Sequence, residues 1–122
     1  MKNYIKVFVT IIVLFISGNL YSQYTGPGTT AKFYTVKEIK DNASRLDKSD
    51  EHIKVKGYII KQINKDTYEF KDNTGTILVD IDKKKLPTKP FDDKTELILI
   101  AEVDHDLLEP VEIEVEEVLF VN

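Results

Sequence analysis

Hydrophobic positions in this chain recur at two different periods, and the change between them marks out its elements. Val36, Ile39, Ala43 and Leu46 return every three or four residues, the spacing of one helix face. Thr35 precedes this run and Glu38 follows three positions later, the pattern of a capping box in which hydroxyl and carboxylate each satisfy a free backbone N–H. One short amphipathic helix is therefore predicted, ending near Asp47. From Glu51 onward the period is two. Ile53 and Val55 alternate with His52, Lys54 and Lys56; Tyr68 and Phe70 alternate with Glu69 and Lys71; Ile77, Val79 and Ile81 alternate with Leu78 and Asp80. Turns are expected at residues 64–66 and at Asp72, Asn73, Thr74, Gly75, where glycine is free to take positive φ.

Gly57 interrupts the first strand. A glycine inside a strand marks a bulge or a sharp bend, and a bent strand can serve two sheets of a small barrel. Residues 83–93 break the alternation with Pro87 and Pro90, making a connection with room for one helical turn. Leu97, Ile98, Leu99 and Ile100 are apolar on both faces, as in a strand covered on both sides. In the last strand Val111, Ile113 and Val115 alternate with glutamates until the pair Glu116, Glu117 shifts the phase to Val118 and Phe120, which a bulge would produce. The predicted architecture is all-β with one N-terminal helix, a five-stranded OB-fold barrel over residues 35–122. The pattern alone also fits an SH3-like barrel or an open meander.

The first residues read differently. Lys2 and Lys6 precede an apolar run over residues 7–16, broken only by Thr10, and small polar residues follow up to Ser22. This is the layout of an export signal, too short for a bilayer-spanning helix of roughly 20 residues. Residues 1–22 are therefore expected to be a signal peptide cleaved before Gln23, giving a periplasmic protein with no stable membrane anchor. Residues 23–34, with Gly26, Pro27 and Gly28 and no hydrophobic period, are expected to form a flexible lead-in.

The segment from Lys65 to Asp82 carries the pattern D-x-Y-x-F-x-D-x-T-G-x-I-x-V-x-I-D. Together with Val55 and Gly57 before it, and Glu102 to Asp104 and Val111 to Ile113 after it, this resembles the bacterial OB-fold family, labelled BOF or NirD/YgiW/YdeI. The resemblance spans about residues 24–118. It implies an exported OB-fold of envelope stress tolerance and no catalytic residue, with Gly57, Asp72, Gly75 and Asp82 as structural positions. The chain departs from the family by lacking tryptophan, and Leu107 or Leu108 stands where an aromatic is usual in the last loop.

Composition narrows the chemistry. Residues 1–22 hold two lysines and no acid, so the remainder carries 15 basic and 21 acidic side chains, a net charge of −6. That argues against nucleic acid as a partner, because such binding draws largely on Lys and Arg neutralising phosphates. There is no cysteine, no serine in a nucleophile elbow and no glycine-rich loop opening a helix, so no enzyme and no cofactor is expected. The two histidines, His52 and His105, lie in different segments. Asp104, His105, Asp106 and Glu109 could offer oxygen and nitrogen to a cation, but they match no calcium-loop spacing, so no metal is assigned. Lys83, Lys84 and Lys85 read as the solvated end of a strand.

Charge is uneven, since residues 95–122 hold nine acids and no lysine or arginine. Pairing of the last strand with the first would set Glu112 and Glu114 opposite Lys54 and Lys56. The candidate ligand-binding face is the outer side of the first three strands, where OB-folds generally bind: Lys54, Lys56, Glu69, Lys71, Leu78 and Asp80. With Tyr68 and Phe70 expected in the core, this face lacks stacking aromatics. It suits a small molecule, peptide or glycan fragment, or alternatively an envelope enzyme that the domain docks onto and restrains.

Overall fold

The computed structural model describes residues 30–121. Its elements in order are β1 (Lys32–Phe33), α1 (Val36–Asp41), α2 (Ala43–Ser49), β2 (His52–Gln62), β3 (Thr67–Asp72), β4 (Gly75–Asp80), a 3-10 turn (Lys83–Lys85), β5 (Leu97–Asp104) and β6 (Glu112–Phe120). The strands run β1-β2-β3-β4-β6-β5, and β5 pairs again with β2 to close a ring of five. β1 lies outside that ring, parallel to β2. The expectations for residues 1–29 lie outside the described residues.

The helix begins as its sequence predicts. Glu38 N–H donates to Thr35 Oγ1 at 3.1 Å and Thr35 N–H to Glu38 Oε1 at 2.9 Å, the two halves of the capping box. It does not continue as one helix, because Asn42 leaves helical geometry at φ −113° and ψ 16° and divides it into α1 and α2. Val36, Ile39, Ala43 and Leu46 are nevertheless all buried, so the apolar stripe is continuous across the break.

The barrel interior is filled by alternate strand residues: Ile53, Val55, Tyr68, Phe70, Ile77, Val79, Ile81, Leu97, Leu99, Ala101, Ile113 and Val115. Burying one such aliphatic or aromatic side chain contributes about 1.5–3 kcal/mol, so this layer dominates stability in a chain without disulfides. Ile100 is also buried yet stands apart from the interior cluster, consistent with β5 being covered on both faces. The phase shift in β6 is a bulge: Ile100 pairs with Glu117 and Ala101 with Val115, leaving Glu116 without a partner.

Gly57 marks the changeover in β2. Residues up to Gly57 pair with β5, and from Tyr58 onward the strand pairs with β3. The register irregularity itself falls two residues later, between Ile59 and Lys61. What requires glycine at position 57 is proximity, since a Cβ there would run into the Lys71 carbonyl oxygen and stand 2.9 Å from Phe70 Cε2.

Three expectations are corrected. The end of the supposed lead-in is structured, with Lys32 and Phe33 aligned to Ile53 and Lys54 and Tyr34 buried. β1 is too short to show a period, which is why alternation missed it. Gly75 does not take positive φ, and the turn before it is closed instead by the Asp72 carboxylate. The last strand does not pair with the first: Lys54 faces Ile100 and Lys56 faces Ile98 on β5, while Glu112 and Glu114 face Leu78 and Asp80 on β4 and Asp104 and Glu102 on β5.

Candidate ligand-binding site

Asp72 positions one side of a groove between the β3–β4 turn and β1. Its Oδ1 accepts from Thr74 N–H at 2.7 Å, Thr74 Oγ1 at 2.6 Å and Gly75 N–H at 3.1 Å, which folds the β3–β4 turn. Its Oδ2 accepts from Val36 N–H at 2.9 Å, which fastens that turn to the start of α1. Burial pushes the Asp72 carboxyl upward, but the Thr74 hydroxyl and the N–H groups of Val36, Thr74 and Gly75 outweigh it and hold the group below the ordinary carboxylate range. Lys37 N–H is taken by Thr74 Oγ1, so the first-turn donors of α1 are all used internally.

Across from this turn stands β1. Tyr34 donates its hydroxyl to Glu51 Oε2 at 2.9 Å and accepts from Arg45 Nη2 at 3.4 Å, which anchors the segment. Phe33, next to it, is 51% exposed, with Lys54 Nζ 5.2 Å from its ring centroid, a cation–π contact. Between these two walls lies a groove of about 660 Å³, lined among others by Phe33, Tyr34, Lys56, Tyr58, Asp72 and Glu96. That volume falls within the roughly 300–1,000 Å³ of small-ligand sites. Its apolar surfaces come from aromatic rings, while its polar groups carry both signs of charge.

The six residues predicted from the sequence all alternate with buried neighbours and so stand on the outer side of β2, β3 and β4, where they line separate hollows. Lys56 lines this groove, and Lys54 stands over Phe33 beside it. Lys71 lines a neighbouring depression with Tyr58 and Ile60. Glu69 and Leu78 face each other across the β3–β4 ladder, beside Pro110 and Val111, and Leu78 is half-buried there. Asp80 belongs to a small acidic hollow with Asp66, Asp82 and Glu114, relieved by Lys85. The aromatics Phe33 and Tyr58 were not among the predicted residues. The only signal for Phe33 was a Phe-Tyr pair inside a segment otherwise rich in glycine and threonine.

The remaining candidates divide as follows. Asp82 Oδ1 accepts from Lys84 N–H at 3.0 Å and so shapes the 3-10 turn that holds the three lysines. The loop of Asp104, His105, Asp106 and Glu109 does not converge on a point; His105 N–H instead donates to Asp47 Oδ2 at 3.1 Å, tying the loop to α2. Among the described residues, the one grouping with ligand atoms close enough to share a metal is His52, Glu102 and Glu116. No helix among the described residues is long and apolar enough to cross a membrane.

A ring of five strands in which the first bends to pair with two neighbours, the third pairs with the fifth in parallel, and one wall carries an open groove defines a small OB-fold module. The family model for bacterial OB fold (BOF) proteins matches residues 17–119, and the chain belongs to that family. It is 39% identical over 100 residues to the calcium-regulated OB-fold protein CarO of Pseudomonas aeruginosa, covering 82% of each chain. To protein YgiW of Escherichia coli it is 37% identical over 75 residues, 62% of this chain and 57% of YgiW. The solved structure of ygiW superposes with a TM-score of 0.63 at 34% identity, covering 80% of this chain and 97% of that one.

Proposed function

We propose that this protein is an exported, non-catalytic binding module of the periplasm, serving envelope stress tolerance, and that it takes a small molecule, peptide or glycan fragment in the groove between Phe33 and Tyr58. The observation that carries the reading is the exposed Phe33 ring beside a groove with both charge signs, Lys56 and Glu96. Aromatic faces pack against sugar rings and apolar side chains, and the flanking charges give orientation. The groove offers no nucleophile paired with a base, which supports binding without turnover. Thermal-shift screening of the exported protein with glycan fragments and peptides tests this. Phe33→Ala should weaken any hit by about tenfold, the worth of about 1.4 kcal/mol of stacking, with little change in melting temperature. A hit bound equally by parent and variant places the site elsewhere.

The export reading predicts that protein recovered from its host begins at Gln23. N-terminal mass analysis finding an intact Met1 in the membrane fraction overturns it. A second reading, docking onto an envelope enzyme, is favoured by Leu107 and Leu108, which are 95% and 98% exposed at the tip of the β5–β6 loop. Pull-down from envelope extracts with and without Leu107→Ser and Leu108→Ser separates it from the first.

A further inference from the structure

Three strands bring His52, Glu102 and Glu116 to one point on the barrel wall, outside the groove. His52 opens β2, and its partner across the ladder is Glu102 of β5. β6 follows on the other side of β5, and its bulge supplies Glu116 as a residue with no partner on that strand. Bulges often re-aim a side chain beside a functional site. One ligand atom from each of the three lies within 4.8 Å of the others.

The His52–Glu102 spacing leaves room for an ion held by both side chains. His52 Nε2 stands 3.3 Å from Glu102 Oε1. A charge-assisted N–H···O bond is shorter, about 2.7–2.9 Å. Two ligands placed tetrahedrally around a zinc ion, at about 2.0–2.2 Å each, are separated by about 3.3–3.5 Å. The three side chains are 34%, 36% and 37% exposed, so an ion can reach them and a fourth vertex remains for water. The cation recorded against Glu116 is Lys85, whose Nζ lies 3.6 Å from Oε2 and would compete with a metal for that carboxylate.

We propose that His52, Glu102 and Glu116 bind one divalent first-row transition ion, with zinc the best fit. A donor set of one imidazole and two carboxylates suits zinc, whereas calcium takes six to eight oxygens and magnesium an octahedron of them. The ion would clip β2, β5 and β6 together.

Calorimetric titration of the full-length protein, stripped with chelator, with zinc chloride tests the site. The expected result is one micromolar site per chain. His52→Ala and Glu116→Gln should each weaken it by about tenfold or more, while His105→Ala leaves it unchanged. Lys85→Gln should tighten binding, because it frees Glu116, and this variant keeps the test decisive if His52→Ala fails to fold. The proposal is overturned by absence of zinc binding up to millimolar concentration, by unaltered binding in His52→Ala, by loss in His105→Ala, by no tightening in Lys85→Gln, or by calcium binding as tightly as zinc.

Discussion

Gly57 is the residue on which most backbone geometry converges. It sits where β2 passes from β5 to β3, and the atoms that a side chain would meet are the Lys71 carbonyl and the Phe70 ring, neither of which can swing away. Lys71 is held in the ladder opposite Tyr58, and Phe70 is fully buried. Gly57→Ala should therefore cost more than about 3 kcal/mol, beyond the usual range for one substitution, and denaturant titration measures it directly. A cost under about 1 kcal/mol would mean that the two strands separate easily at this point. Sequence reading found the residue and left open a bulge or a sharp bend there. A glycine looks the same in a sequence whether it serves a bulge or a close approach.

Among the elements, the β3–β4 hairpin and α1 are joined by a single carboxylate. Asp72 accepts hydrogen bonds from both, so Asp72→Ala should loosen turn and helix start together and cost about 2 kcal/mol, the range for hydrogen bonds to a charged group. Because its folded pKa lies below the unfolded one, the Asp72 contribution is complete above the unfolded carboxylate pKa of about 3.9 and is lost as pH falls through the lower folded value. The stability difference between parent and Asp72→Ala should thus be constant from neutral pH to about 5 and shrink below about 4. Melting curves across that range check the sign, and a difference that grows on acidification contradicts it. The helix cap was legible in four residues because both partners lie three positions apart. The link from Asp72 to Val36 spans 36 positions and had no local signature.

For the molecule as a whole, charge is distributed differently from what the uneven sequence suggested. The acids of β6 do not meet the lysines of β2; Glu112 lies near Asp80, Asp104, Glu109 and Glu114. Burial, and then those four carboxylates in turn, raise its pKa. A carboxyl raised in the folded state destabilises it when charged, and the strain is relieved as pH falls through that raised value. Glu112→Gln should accordingly stabilise the protein at pH 7 by about 0.5 kcal/mol after solvent screening, and the gain should vanish near pH 4 where the parent is protonated. Destabilisation at pH 7 would instead show that the carboxylate has a favourable partner. By itself the sequence determined the helix stripe, the inward face of each alternating strand, the β6 bulge and the family, because each is written in spacings of two to four residues or in one contiguous motif. Tertiary structure alone decided which strands are neighbours. Ring closure sets β5 between β2 and β6, and so separates Glu112 from Lys54 and gathers His52, Glu102 and Glu116, while the parallel pairing of β1 with β2, outside the ring, adds Phe33 to the groove wall. Such meetings depend on register between segments more than sixty residues apart, as His52 and Glu116 are, and register is fixed by how all the buried faces fit at once rather than by any stretch of chain alone.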